Sequence, residues 1–194
     1  LPSMGYLFHL EKEGAYSVIG AGFTGLPAVA FGTNGHAAWG ATSNWADVTD
    51  LFVEKPVKGD PDYYYYKGEA VPFEKRVETF TIRRDDGSFT EETYTVRESR
   101  HGVILNDFIG RIGGDFPLLA LRRNRVLGEP LSALRRVYNA HNVDEAREAF
   151  EDFYAFTGHW ALADENGNIG YVGSVRLPRR QFHPGTLPVP GWTD

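Results

Sequence analysis

The stretch TGHWALADENGNIGYVGS, residues 157–174, has the pattern of two β-strands joined by a tight turn. Small apolar residues lead into Asp164, residues 164–167 are typical turn formers, and an apolar strand resumes at Ile169. His159 stands at the mouth of this hairpin. A histidine there is either a half-exposed residue at a strand end or a hydrogen-bond donor with a specific task. The stretch alone leaves both interpretations open.

Further strand patterns fill the sequence before residue 125. Residues 77–96 alternate in polarity around the turn Asp85-Asp86-Gly87, which predicts a second hairpin. The four tyrosines at 63–66 are either a sugar-stacking platform or an aromatic strand at the edge of a sheet. Short apolar runs bounded by glycine and proline predict other strands at residues 16–19, 29–31, 37–40, 101–105 and 118–121.

Helix is predicted only between residues 130 and 155. Pro130 suits a first helical turn, and Asn142 followed by Glu145 is typical of a helix N-cap. The apolar residues that follow recur at helical spacing, which predicts the longest helix near residues 142–155. The fold class is therefore α+β, with antiparallel sheets and few helices. No repeat or linker divides the chain, so residues 1–194 are predicted to form a single domain.

Composition excludes several classes of partner and of chemistry. The net charge of -6 argues against binding to nucleic acid or to an anionic membrane. The absence of cysteine excludes disulfides and thiolate chemistry, and the six histidines lack the spacing of a zinc site. The sequence contains no G-x-S-x-G elbow, no P-loop and no H-E-x-x-H motif.

Two carboxylates that are three residues apart suggest a cation site. Asp47 and Asp50, with the carbonyl group of Thr49 between them, could converge on a hard cation such as Ca²⁺. The alternative is two solvated loop aspartates, or a turn that Asp47 caps. The pair supplies too few ligands for a complete site, so a metal would need further oxygen atoms from other segments.

Eight short motifs recur along the chain in a characteristic order and spacing. They are GLP (25–27), FGTNG (31–35), AWGAT (38–42), DVTDLF (47–52), HG (101–102), LALR (119–122), ADENGNIGY (163–171) and LPVPG (187–191). Taken in this order, the motifs resemble the β-subunit of the penicillin amidases, a family of N-terminal-nucleophile hydrolases. The resemblance covers essentially the whole chain, and the order and spacing of the motifs carry it.

The resemblance implies an αββα core and an enzyme that hydrolyses the amide bond between a hydrophobic acyl group and an amine. The amine would be a β-lactam nucleus or an acyl-homoserine lactone, so that antibiotic metabolism and quorum quenching are the implied roles. It also implies autoproteolytic processing of a precursor, partnership with an α-subunit and the remainder of the β-subunit, and a periplasmic or secreted location. The implied cofactor is a structural Ca²⁺, without an organic cofactor.

In this family the nucleophile is the first residue of the mature β-subunit, normally serine, and its own α-amine acts as the base. Leu1 does not match that serine. We therefore expect the chain to be a fragment of a β-subunit that lacks the nucleophile. The alternative is a non-catalytic family member, or a binding or structural protein with a degenerate site. A carbohydrate-binding module is supported only by the tyrosine run.

The resemblance also assigns roles to individual residues. Ser43 matches the position whose backbone N–H donates to the oxyanion, and His159 falls where the family has an asparagine donor. A neutral imidazole can donate one N–H in place of an amide. Arg180 matches an arginine near the active site, where its charge would disfavour a protonated His159. The implied acyl pocket contains Phe31 and Trp45, and the implied calcium loop contains Asp47, the Thr49 carbonyl and Asp50.

Overall fold

A computed structural model describes residues 4–109, 117–123, 130–154, 157–181 and 183–193. The chain clusters in two compact units, Leu1–Asp47 with Arg125–Leu177 and Val48–Asn124 with Pro178–Asp194. The prediction that residues 1–194 form a single domain stays a prediction. The chain passes from one unit to the other three times. The first crossing lies between Asp47 and Val48, inside the DVTDLF motif of residues 47–52. No change in amino-acid composition marks it in the sequence.

Fourteen strands and three helices occur in the described residues. In chain order they are β1 (Gly5–Lys12), β2 (Tyr16–Phe23), β3 (Phe31–Thr33), β4 (Ala37–Ser43), β5 (Thr49–Val57), β6 (Asp60–Tyr66), β7 (Glu69–Pro72), β8 (Glu74–Arg83), β9 (Phe89–Ser99), β10 (Gly102–Ile104), α1 (Asn106–Ile109), β11 (Leu118–Arg123), α2 (Pro130–Val137), α3 (Val143–Glu151), β12 (Gly158–Asp164), β13 (Ile169–Ser174) and β14 (Val189–Pro190).

The first unit contains a six-stranded antiparallel sheet in the order β1-β2-β3-β4-β12-β13, with α2 and α3 in the same unit. Helix α3 packs on β12 and β13, where the ring of Phe150 stacks on Trp160 with 3.8 Å between the centroids. Burial of each such large side chain contributes roughly 1.5–3 kcal/mol to folding. The buried core residues of this unit are Val18, Ala28, Val29, Ala37, Trp39, Ala133, Leu134, Val137, Tyr138, Ala140, Val143, Ala146, Ala149, Phe150, Phe153, Trp160, Leu162 and Val172.

The start of α3 follows the predicted capping pattern. The Asn142 side chain accepts a hydrogen bond from the backbone N–H of Glu145 at 2.9 Å. In return, the Glu145 carboxylate accepts the backbone N–H of His141 at 2.8 Å. The predicted N-cap is confirmed, and α3 is the longest described helix, although it ends at Glu151. None of the described helices has the length and apolar character needed to span a membrane.

The second unit contains a larger sheet, with the path β7-β6-β5-β11-β10-β9-β8. The predicted hairpin at residues 77–96 is confirmed by the pairing of β8 with β9. Strand β6, which carries the four tyrosines, lies between β5 and β7, so it is an interior strand and the edge-strand interpretation was wrong. Within the described part of this sheet, β14 adds the one parallel pairing, two residues long, against β5.

The predicted fold class is confirmed, because antiparallel ladders dominate both units and the helices are few and short. One predicted strand differs in position. Residues 29–31 were expected to form it, but β3 covers Phe31–Thr33, and Val29 and Ala30 are buried just before the strand.

Candidate active site

Ser43 and His159 lie at neighbouring positions of two paired strands in the first unit. Ser43 ends β4 and is opposite Gly158, the first residue of β12. His159 is the next residue of β12 and is opposite Thr42. The sheet therefore brings together two residues that 116 positions separate in the sequence.

The hydrogen-bond pattern of this ladder leaves the Ser43 N–H available. The backbone N–H of Asn44 donates to the Thr157 carbonyl at 3.1 Å. Because hydrogen-bonded and non-bonded pairs alternate along an antiparallel ladder, Ser43 and Gly158 form a non-bonded pair. On the other side of β4, the described pairing with β3 ends at Trp39. Neither flanking ladder uses the Ser43 N–H, which is the property an oxyanion donor needs.

The chain turns sharply directly after Ser43. The hydroxyl oxygen of Ser43 accepts the Trp45 N–H at 3.4 Å, and the Asn44 side chain accepts the Ala46 N–H at 3.0 Å. Trp45 has a φ of 55°, a left-handed conformation that non-glycine residues seldom adopt and that is often retained at functional sites. Its side chain is 90% exposed. The indole predicted to line the acyl pocket is thus presented on the surface beside the candidate donor.

Phe31, the other predicted pocket residue, begins β3 and is half-buried. Its ring packs edge-on against Phe23 at 5.4 Å and lies 6.2 Å from the ring of Trp160, the residue that follows His159. Phe31 is therefore partly a core residue, and its ring adjoins the strand that carries His159. Its role in a pocket stays a prediction.

The orientation of the His159 side chain follows from the burial of Trp160, the next residue of β12, on the opposite face of the sheet. The side chain of Trp160 is fully buried, and its indole N–H donates to the hydroxyl oxygen of Ser174 on β13 at 2.8 Å. Strand alternation then places the His159 ring on the face that the helices do not cover, where it is exposed. There Nδ1 of His159 is hydrogen-bonded to the hydroxyl group of Tyr171.

Tyr171 was not among the candidate site residues that the sequence suggested. The hairpin pattern did indicate that the two side chains could be in contact, because side chains of two paired strands that point to the same face of the sheet can touch. His159 and Tyr171 both alternate with buried residues of their strands. The register, which decides whether they meet, depends on the length of the turn.

That turn is held by Asp164. Its carboxylate accepts the backbone N–H groups of Asn166 and Asn168, each at 3.0 Å, and the N–H of Val143 at the start of α3 at 3.2 Å. The hydrogen bond from the Asn168 side chain, together with these backbone donors, lowers the pKa of Asp164. The carboxylate thus ties the hairpin that carries His159 to helix α3.

Arg180 belongs to the second unit, and its described partner is Asp50. The guanidinium Nε donates to Oδ1 of Asp50 at 2.8 Å, and both side chains are largely buried. Nδ1 of His183 lies 4.0 Å from the same oxygen. Arg180 was expected to act near His159, and that placement stays a prediction.

The calcium prediction involves residues of both units. Asp47 is exposed in the first unit, while Thr49 begins β5 in the second and Asp50 is buried against Arg180. Oxygen donors of this kind suit calcium. Among the described residues, no cluster of three or more histidine or acidic side chains is placed to hold a metal ion. Calcium binding by Asp47, the Thr49 carbonyl and Asp50 stays a prediction.

The second unit contains a buried polar cluster that the sequence patterns did not predict. Glu54, Ser99 and His101 are all buried, with Nδ1 of His101 2.8 Å from Oε1 of Glu54 and the Ser99 hydroxyl group donating to the same oxygen. The signal was the alternation of β5, which buries Asp50, Phe52 and Glu54 on one face. Charged residues at two of these three positions indicate buried polar partners.

Comparisons with known proteins agree with this architecture. The penicillin amidase family matches the chain over residues 1–194. The acyl-homoserine lactone acylase QuiP of Pseudomonas fluorescens is 35% identical over 179 residues, which cover 91% of this chain and 22% of that protein. Penicillin G acylase of Escherichia coli is 33% identical over 193 residues, which cover 96% of this chain and 21% of that protein.

The fold has a close counterpart among solved structures. The thermostable penicillin G acylase of Alcaligenes faecalis superposes with a TM-score of 0.80 at 28% identity, over 98% of this chain and 33% of that one. The fold is thus that of the penicillin acylase class of N-terminal-nucleophile hydrolases. The chain belongs to the penicillin amidase family. It spans about a fifth of the length of the curated relatives it matches.

Proposed function

We propose that the protein is an acylase that hydrolyses the amide bond between a hydrophobic acyl group and an amine. Family membership supports the reaction class. The relatives that are named as penicillin G acylase and acyl-homoserine lactone acylase suggest a β-lactam nucleus or a homoserine lactone as the amine. The protein would then act in antibiotic metabolism or in quorum quenching.

The observation that carries this proposal is the Ser43 N–H, which neither flanking ladder uses, beside His159 at the end of paired strands. An oxyanion needs two donors at about 2.7–3.1 Å from one oxygen position. We assign these donors to the Ser43 backbone and to the imidazole of His159. In this proposal autoproteolytic processing of the precursor supplies the serine nucleophile and its α-amine, while Phe31 and Trp45 contact the acyl group.

The test uses the complete enzyme and two substitutions of one residue. His159→Ala removes a donor and is expected to lower kcat by about 10²- to 10³-fold with little change in KM. His159→Asn restores an N–H donor and is expected to retain or raise kcat. His9→Ala is the matched control, because His9 is an exposed histidine of the same sheet that is hydrogen-bonded to Ser17 at 2.7 Å. An unchanged kcat in His159→Ala would refute the assignment.

One observation favours a second candidate, a family member that binds acylated amines without hydrolysing them. His159 stands where the family has an asparagine, so the second donor depends on the proton position of the ring. Substrate that binds to the unaltered protein but is not hydrolysed, with hydrolysis appearing in His159→Asn, would establish this second function.

We further propose that Asp47, the Thr49 carbonyl and Asp50 contribute oxygen ligands to a structural Ca²⁺ that residues outside the described ones complete. Partnership with an α-subunit and the rest of the β-subunit, in the periplasm or outside the cell, is part of the same proposal. Calcium added to chelator-treated enzyme is expected to raise Tm, since binding to the folded state stabilises it. An unchanged Tm at saturating calcium would exclude the site.

A further inference from the structure

Tyr171 is the described hydrogen-bond partner of the His159 ring. The two side chains lie on one face of the β12–β13 ladder, with 5.6 Å between ring centroids and the Tyr171 hydroxyl group on Nδ1. The register pairs His159 with Gly173 and Ala161 with Tyr171, so the two rings meet across a diagonal. Such diagonal neighbours are within reach of aromatic side chains.

Gly173 lies beside this contact. It is directly opposite His159 and has no side chain to crowd the Tyr171 hydroxyl group. A Cβ atom added at Gly173 would lie 3.3 Å from the hydroxyl oxygen of Tyr171. That distance is tighter than an ordinary contact, so the hydroxyl group would have to shift by a few tenths of an ångström relative to the imidazole.

The hydrogen bond has a consequence for the imidazole. A neutral imidazole has one N–H donor and one bare nitrogen acceptor, and the partner of one nitrogen selects the tautomer. A phenol is the better donor of this pair and a bare imidazole nitrogen is the better acceptor. When the Tyr171 O–H donates to Nδ1, the ring proton resides on Nε2, which becomes the donor.

We propose that Tyr171 is a positioning residue that holds His159 in the Nε2–H tautomer. The inference rests on the proposed function, in which His159 donates to the oxyanion. An asparagine amide always presents an N–H group, whereas a histidine presents one at a given nitrogen in only one neutral tautomer. Tyr171 supplies the selection that the replacement of asparagine by histidine makes necessary.

The first test reads the tautomer directly, without activity. In ¹⁵N-histidine-labelled enzyme near pH 8, the nitrogen shifts of His159 are expected to show a protonated Nε2 and a bare Nδ1. Tyr171→Phe and Gly173→Ala are expected to convert this signature to a mixture of tautomers. A proton on Nδ1 in the unaltered enzyme, or a signature that neither substitution changes, would overturn the inference. This holds whatever the enzyme hydrolyses.

The second test measures coupling. Tyr171→Phe is expected to lower kcat about ten-fold with KM nearly constant, less than the roughly 10²- to 10³-fold cost of losing a donor. In the His159→Asn background the same substitution is expected to leave kcat unchanged, because an amide needs no tautomer selection. Equal losses in both backgrounds would overturn the positioning role.

Tyr94→Phe is the matched control, since Tyr94 is a strand tyrosine of the second unit whose hydroxyl group donates to Glu92 at 2.6 Å. It is expected to change neither kcat nor the His159 signature. If the complete enzyme hydrolyses no acyl amide, the proposed function fails, whereas the nitrogen shifts still decide the role of Tyr171.

Discussion

Two histidines of this chain make similar contacts in opposite surroundings. In His101 of the second unit and in His159 of the first, Nδ1 contacts a side-chain oxygen atom from another strand of the same unit. The side chain of His101 is 1% exposed and that of its partner Glu54 is fully buried, whereas His159 lies on an open sheet face. A buried polar contact of this kind serves the folded structure alone. An exposed polar contact orients the imidazole ring, and the other ring nitrogen stays accessible to a ligand.

The buried cluster also holds a segment from the end of the chain. The N–H of Gly191 donates to the Val53 carbonyl at 2.8 Å, beside β5. A Cβ atom at Gly191 would lie only 2.7 Å from Oε2 of Glu54 and 3.2 Å from Nδ1 of His101. Glycine is therefore required here by close approach. The cluster thus connects β5, β9 and the residues around β14.

The largest expected effect is on stability, from Glu54→Ala. The substitution leaves buried donors on Ser99 and His101 without their acceptor, and breaking a buried, hydrogen-bonded pair costs about 3–5 kcal/mol. Urea unfolding of the complete enzyme measures this loss. A loss below about 1 kcal/mol would show that burial does not distinguish this cluster from a surface pair.

A neutral buried group is expected to give an intermediate effect. The Tyr138 hydroxyl group donates to the Val29 carbonyl at 3.1 Å in the core of the first unit. Burial, which disfavours the phenolate, raises the pKa of Tyr138 to about 12. The unfolded chain loses this proton near pH 10, at about its ordinary pKa. The stabilisation is therefore complete below about pH 10 and is lost between about pH 10 and 12.

Tyr138→Phe separates this contribution from other titrations. At pH 8 the substitution leaves the Val29 carbonyl unsatisfied and is expected to cost about 1–3 kcal/mol. The difference from the unaltered protein is expected to shrink as pH rises above about 10, by up to roughly 1.4 kcal/mol per pH unit. Urea midpoints measured from pH 8 to 11 test this. A constant difference would mean that Tyr138 titrates alike in both states.

The sequence predicted the local elements well, because their periodicity is strong. The hairpins at residues 77–96 and 157–174 and the capped helix α3 are all where the pattern placed them. The division into two units was not predictable, because it depends on which strands pair across long sequence distances. Residues 47 and 48 are adjacent and yet belong to different units.

The candidate site was only partly predictable for the same reason. The family motifs indicated Ser43 and His159, and the ladder between β4 and β12 brings them to neighbouring positions. Tyr171 and Glu54 carry no motif. Their importance depends on the register of paired strands and on burial, and a single sequence states neither of these directly.

The smallest expected effect comes from a surface pair with the same geometry as the buried one. Nδ1 of His36 lies 2.8 Å from Oε1 of Glu165, the same atoms and distance as in the pair of His101 and Glu54. The exposed fractions of these two side chains are 47% and 54%. Water replaces a lost partner at such a site, so exposed pairs contribute only about 0–1 kcal/mol.

Glu165→Ala is thus the matched control for Glu54→Ala, since each removes the glutamate of a histidine pair. Urea unfolding in the same buffer is expected to show a loss of at most about 1 kcal/mol for Glu165→Ala. Equal losses for the two substitutions would mean that contact distance, and not burial, determines the strength of these pairs. The contrast between His101 and His159 would then lose its physical basis, because an exposed imidazole ring would be held by its partner as strongly as a buried one.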